Sequence, residues 1–228
     1  VFLTEAMNVV NERKRPYIVM EGMSDRFMAT YKRPFEAKDI KVVMYAGGLH
    51  ERYGLKKLTE AFMSVDMKYK RTSPKHEKEN FRLKLFGSGP FVEKLKTKYT
   101  KKDSRIQYMG VAPNAEVVAA ELDASLLVNP RPTHEEFTKY SFPSKNIEYM
   151  ASGTPLLTTK LPGMPKEYYP YVFLIENESV EGYAKALESV LAQSDEELYV
   201  FGEKAKDFVL EKKNSFEQAK RVIELIKL

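Results

Sequence analysis

The sequence predicts an α/β fold built on a parallel sheet with helices on both faces. Two observations carry that expectation. Short apolar runs of strand length alternate with longer amphipathic runs of helical period along most of the chain. One run, Ser125-Leu126-Leu127-Val128, has no alternating polar face, as a strand covered on both sides requires.

The elements follow in order. Val1 to Arg15 places Phe2, Leu3, Ala6, Met7, Val9 and Val10 near helical spacing and stops at Pro16. Tyr17–Met20 reads as a short strand, Glu21–Asp25 as a turn, and Lys32 to Asp39 as a linker into the main domain. Lys41–Ala46 is then a strand, followed by Gly47-Gly48, and Leu55 to Met67 an amphipathic helix with Leu55, Leu58, Ala61, Phe62 and Val65 on one face. Phe81–Phe86 is a strand, and Gly87-Ser88-Gly89-Pro90 opens a helix to about Tyr99. Arg105 to Met109 is a strand, Ala115 to Glu121 a short helix, and Ser125–Val128 the central strand. A polar loop, Asn129 to Ser141, precedes a helix from about Pro143 to Ala151. Pro155–Thr158 and Val172–Ile175 are further strands, and three helical segments close the chain near 180–192, 196–211 and 216–226. Sheets of this kind bind ligands beyond the carboxyl ends of their strands, so function is expected in the loops after Ala46, Phe86, Met109, Val128 and Thr158.

Composition narrows the function classes. With 228 residues, 43% hydrophobic and 30% charged, the chain can bury a full core and has the balance of an ordinary globular domain. No window holds the roughly 18 apolar residues of a membrane span, and no secretory signal is visible. The first residue is Val1, so the chain is read as a segment of a longer protein. Cysteine is absent and His50, His76 and His134 lie far apart, so neither a disulfide nor a zinc site is expected. The net charge of +5 is spread along the chain, and no nucleic-acid partner is expected. The densest basic stretch, Lys68 to His76, reads as a solvated loop or, alternatively, as a patch facing an anionic membrane surface.

Three loops carry chemistry. Gly47-Gly48 and Gly87-Ser88-Gly89-Pro90 let backbone approach a ligand closely, yet neither completes a Gly-x-Gly-x-x-Gly or Walker pattern. Tight strand-to-helix turns in any fold also use glycine, so each is weak alone. The third stretch, Asn129 to Pro155, is specific. It contains Phe142, Glu148, Met150-Ala151, Gly153 and Pro155 in the register of a loop bearing Glu, seven residues and a second Glu. Here the chain resembles the retaining, two-domain transferases of glycosyltransferase family four, especially those that build bacterial capsule and exopolysaccharide. Tyr45–Leu49, Gly54-Leu55, Glu60–Phe62, Leu85–Pro90 and Ile106–Gly110 extend the resemblance over roughly Val42 to Pro155.

The resemblance implies a Rossmann-like domain, the C-terminal half of a GT-B fold, that binds a UDP-sugar or GDP-sugar donor. It further implies a glycan or lipid-linked acceptor held by a preceding domain, location in the cytoplasm with possible attachment to the inner membrane face, and no cofactor or metal. Residues 1–31 would be the crossover from that domain, 32–213 the donor-binding domain, and 214–228 a helix packing back across the cleft. Gly47, Gly48, Gly87, Gly89, Met109 and Glu148 would bind the nucleotide, with Glu148 on the ribose hydroxyls. The helix beginning near Pro143 would point free amides at the diphosphate, helped by Ser141, Phe142, Pro143, Ser144 and Lys145. The family's first motif Glu, which contacts the transferred sugar, aligns with Tyr140, and its phosphate-gripping Arg and Lys align with Gly48 and Tyr53. Arg52, Arg131, Lys139 or Lys145 would replace the latter. The departures at Tyr140 and Gly48 keep a non-catalytic partner subunit as an alternative; a nucleotide-sugar epimerase of the same architecture is a second, although its distinguishing His and carboxylates have no clear counterparts here.

Overall fold

The structure is a computed structural model that describes residues 1–65 and 81–227. The basic stretch Lys68 to His76 lies outside the described residues. Six strands, β1 (Lys41–Ala46), β2 (Phe81–Phe86), β3 (Ile106–Gly110), β4 (Leu126–Asn129), β5 (Leu156–Thr159) and β6 (Phe173–Ile175), form one sheet in the order β3-β2-β1-β4-β5-β6. Every neighbouring pair is parallel. Strand order therefore reverses between β1 and β4, the point at which such sheets open a crevice.

The helices are α1 (Leu55–Ser64), α2 (Phe91–Lys94), α3 (Thr100–Lys102), α4 (Asn114–Asp123), α5 (Phe137–Tyr140), α6 (Ser144–Ala151), α7 (Val180–Leu191), α8 (Asp195–Lys212) and α9 (Ser215–Ile226). A π-helical turn, Leu95–Tyr99, joins α2 to α3. All six residues of β1 are buried, so the strand is covered on both faces. On one face Val43, Tyr45, Leu85, Leu126 and Val128 pack with Leu58 and Phe62 of α1, Phe91 of α2 and Tyr183 and Leu187 of α7. On the other, Met44, Ala46, Leu127 and Leu156 pack with Ile147, Tyr149 and Met150 of α6 and Ala205 and Val209 of α8. Residues of one strand alternate between the two cores because successive side chains point to opposite faces.

The expected alternation holds, with differences at the ends. Val1 to Arg15 is not a helix: it contains a single 3-10 helix, Glu5–Val10, with no buried residue. Val9 and Val10 are 75% and 65% exposed. An isolated short helix without an apolar face to bury is marginal in water, which accounts for the difference. The strand expected at Tyr17–Met20 is reduced to one bridge, Phe2 to Val19. This N-terminal segment is tied to the end of α8. Ser24 N–H donates to the Lys213 carbonyl (2.8 Å), and the Lys213 ammonium lies 2.5 Å from buried Glu21. The polar loop before α6 carries an unexpected short helix, α5, and 3-10 turns occur at Arg26–Thr30, Glu51–Tyr53 and Lys166–Tyr171.

Candidate functional site

The carboxyl edge of the sheet is assembled by backbone hydrogen bonds between loops. Gly47 N–H donates to Phe86 O (3.1 Å), Leu49 N–H to Ser88 O (2.8 Å), and Gly87 N–H to Gly110 O (2.7 Å). Gly87 has φ +123°, and a Cβ there would stand 1.9 Å from the Gly47 carbonyl oxygen. Only glycine permits that approach. Gly54, at φ +84° ahead of α1, is equally constrained: a Cβ would meet the Pro130 carbonyl oxygen at 1.7 Å. The loops after β1, β2, β3 and β4 are thus in contact, Gly87 lying against Gly47 and Gly89 against the Leu49 backbone, where a Cβ would stand 2.4 Å from the carbonyl oxygen. Gly48 differs. It has no left-handed φ, and the atoms nearest a Cβ there belong to the side chains of His50 and Tyr53. Met109 stands on the rim at the end of β3, 43% exposed.

Strands β1 and β4 pair only through Val43–Leu126 and Met44–Leu127, and then part. The buried Tyr149 hydroxyl occupies the fork, accepting from Ala46 N–H (2.8 Å) and donating to Ala46 O (3.0 Å). One side chain of α6 thereby fixes the last residue before Gly47. Burial holds the Tyr149 hydroxyl's pKa well above its ordinary value, so it stays a donor.

Helix α6 begins after Pro143, with no side chain capping its first turn. The Asn146 N–H turns back to Pro143 O (2.9 Å), while the amides of Ser144 and Lys145 at the helix start have no intrahelical acceptor. Phe142 and Pro143 are buried, and Phe142 packs on the Tyr168 ring at 5.0 Å. They set the direction of the helix, while Ser144 is exposed. The Ser141 hydroxyl is used locally, on Phe137 O (2.9 Å). Lys145 and Glu148 lie one turn apart on the same face and pair at 2.8 Å.

Beside them, on α4, stands a carboxylate the sequence reading did not single out. Glu121 is fully buried and neither of its oxygens has a hydrogen-bond partner, although Lys145 Nζ lies 3.8 Å from Oε1. Its pKa is pushed up to about 7, first by burial and then by the Glu148 charge, with Lys145 opposing. Its sequence signal is a charge three residues after Val118, on the only face of α4 that is buried.

A second basic group surrounds the β4 loop. The Arg131 guanidinium lies over the rings of Tyr53 (5.0 Å) and Phe137 (5.5 Å), and the Arg52 guanidinium over Phe137 (4.8 Å) and Tyr53 (6.0 Å). Such contacts orient guanidiniums while leaving their edges available. Burial lowers the Arg131 pKa, and its Nε is buried without a partner. Arg52 also faces Glu135 at 3.5 Å. The loop is pinned by Thr133 N–H donating to Glu178 (3.1 Å) and by Tyr183 OH donating to Pro130 O (2.8 Å). Of the candidate basic residues, then, Arg52 and Arg131 come together on the aromatic pair, and Lys145 belongs to the carboxylate group. Lys139 is exposed on α5, where its carbonyl accepts from the Thr4 hydroxyl (2.7 Å). Tyr140 follows it, 41% exposed.

Among the described residues no group of three or more His, Cys, Asp or Glu could hold a metal ion, and no helix is long and apolar enough to cross a membrane.

An open parallel sheet whose glycine-built loops and uncapped helix meet at the strand-order reversal between β1 and β4 defines a Rossmann-like α/β domain, a class that binds ligands at such reversals. The chain belongs to the glycosyl transferases group 1 family, whose model matches residues 29–227. No curated protein sequence matches it. Among solved structures it is similar to sucrose-phosphate synthase from Thermosynechococcus elongatus, with TM-score 0.71 and 17% identity over 99% of this chain and 57% of that one. It is similar also to a TarM mutant from S. aureus in complex with Fondaparinux, alpha-GlcNAc-glycerol and UDP, with TM-score 0.70 and 16% identity over 98% of this chain and 43% of that one. A third is the lipopolysaccharide outer core galactosyltransferase WaaB, with TM-score 0.70 and 15% identity over 100% of this chain and 61% of that one. The chain thus spans about half the length of these structures, and at such identities the likeness is one of fold.

Proposed function

We propose that the chain is the donor-binding half of a retaining glycosyltransferase that takes a UDP-sugar and transfers the sugar to a glycan or lipid-linked acceptor in surface polysaccharide synthesis. The observation that carries the reading is the Lys145–Glu148 pair on α6, next to the fork between β1 and β4. Glu148 accepts hydrogen bonds from the ribose hydroxyls. The base lies toward Met109 and Gly110, and the diphosphate over the Gly47 and Gly87 loops. Lys145 and the first amides of α6 meet the diphosphate, with Arg52 and Arg131 approaching from the β4 loop.

Transfer moves negative charge onto the departing diphosphate, and preorganised amides and cations stabilise that charge more than they stabilise the bound donor. The leaving nucleotide is therefore where this half contributes to rate. The acceptor and the groups that face the sugar belong to a preceding domain, with residues 1–31 as the crossover and 214–228 as the return helix. UDP in the TarM complex supports this choice of nucleotide.

A thermal-shift comparison tests the reading. UDP at a hundred times its dissociation constant adds about 2.7 kcal/mol to the stability of the folded domain, whereas NAD and ATP at the same concentration do not shift it. No shift with millimolar UDP or GDP contradicts the proposal.

A further inference from the structure

Resting on that reading, the structure assigns Glu121 as a positioning residue for the diphosphate: when ionised it competes with the ligand for Lys145, and when protonated it releases Lys145 to the ligand. The Lys145 ammonium stands between two carboxylates, 2.8 Å from Glu148 Oε1 and 3.8 Å from Glu121 Oε1. The carboxylates are unequal. Glu148 is about one-third exposed, whereas Glu121 is fully buried and both its oxygens lack hydrogen-bond partners. A buried carboxylate without donors is stable only when neutral or when a cation stays beside it. Among the described residues, the titratable groups acting on it are Lys145, Glu148 and Tyr149, all on α6, and Lys145 is the one cation of the three.

A diphosphate over the first turn of α6 draws Lys145 outward and adds negative charge nearby. Both effects favour the proton on Glu121, so binding takes up a proton at neutral pH. The burial that pushes Glu121 up to about 7 places this exchange in the physiological range. A nucleoside does not use Lys145 and escapes the competition.

The test is isothermal titration of wild type and Glu121→Gln with UDP and with uridine between pH 6 and pH 8.5. In wild type the ratio of UDP to uridine affinity falls about tenfold relative to Glu121→Gln as pH rises through 7. The variant carries the same titration of UDP's own phosphate, which therefore cancels in the comparison. Wild type alone provides a second reading. At pH 7.5, in two buffers of different ionisation heat, UDP binding takes up protons and uridine binding does not, and Lys145→Ala abolishes the uptake. Identical pH profiles in wild type and Glu121→Gln, or no proton uptake with UDP, overturn the assignment while UDP binding itself stands. Failure of wild type to bind UDP overturns the donor-site reading and this inference with it.

Discussion

Replacing Gly87 by alanine tests whether the carboxyl edge is a single assembly. The new Cβ would lie 1.9 Å from the Gly47 carbonyl oxygen, where contacts under 3.0 Å essentially never occur, so the two loops must separate by about 1.1 Å. Alanine at φ +123° is also strained, at a cost of about 1–3 kcal/mol. Separation on that scale breaks at least one of the three loop-to-loop hydrogen bonds, Gly47 to Phe86, Leu49 to Ser88 or Gly87 to Gly110. Each contributes about 0.5–1.5 kcal/mol. Gly87→Ala should therefore destabilise the domain by about 2–4 kcal/mol in urea denaturation with an unchanged m-value. It should also weaken UDP binding, since Gly47 is displaced. A stability within about 0.5 kcal/mol of wild type, together with unaltered UDP affinity, would show that the Gly47 and Gly87 loops do not form one assembly.

Tyr149→Phe removes the hydroxyl that serves both the N–H and the C=O of buried Ala46. Leaving two buried backbone groups unpaired should cost about 2–4 kcal/mol in denaturation, and a loss below 1 kcal/mol would mean that water replaces the hydroxyl. Glu121→Gln should change the pH dependence of stability. The folded-state pKa is raised from the ordinary 4.5 to about 7, so the folded state binds the proton more tightly, and wild type loses stability as pH climbs through that window. The variant lacks this loss. It should match wild type near pH 4.5 and exceed it by about 3 kcal/mol at pH 8, and parallel curves over the whole range would contradict the burial argument.

Much of the sheet was legible because apolar runs of strand length have few alternatives once helical runs separate them. β1 and β2 begin and end where the pattern placed them, and the Phe142-to-Pro155 stretch located α6 to within one residue at its start. The N-terminal segment misled for a local reason: its apolar residues have helical spacing but face no core, so spacing alone predicted a helix that burial does not support. The glycine loops were located, but their reasons differ. Gly87 is demanded by the backbone of Gly47, one strand earlier in the sequence, whereas the atoms nearest a Cβ at Gly48 belong to the side chains of His50 and Tyr53. Glu121 and Tyr149 escaped because their significance arises between elements distant in sequence, α4 against α6 and α6 against β1. The grouping of Arg52 with Arg131 likewise depends on Tyr53 and Phe137 meeting across two loops.

Titration calorimetry of Glu148→Gln with UDP decides whether Glu148 holds the ribose of a nucleoside diphosphate at the β1/β4 fork, as proposed. The substitution keeps the side chain's shape and replaces a charged acceptor by a neutral one. Hydrogen bonds to charged groups contribute on the order of 1.5–3 kcal/mol, so affinity should fall at least tenfold. The lost Lys145 pair should barely affect folding: its side chains are 35% and 30% exposed, and such pairs contribute about 0–1 kcal/mol. Lys145→Ala, measured alongside, should weaken UDP while leaving uridine unchanged. UDP binding at least tenfold weaker in Glu148→Gln, at near-native stability, is the expected result; unchanged UDP affinity in that variant would remove Glu148 from the ribose site.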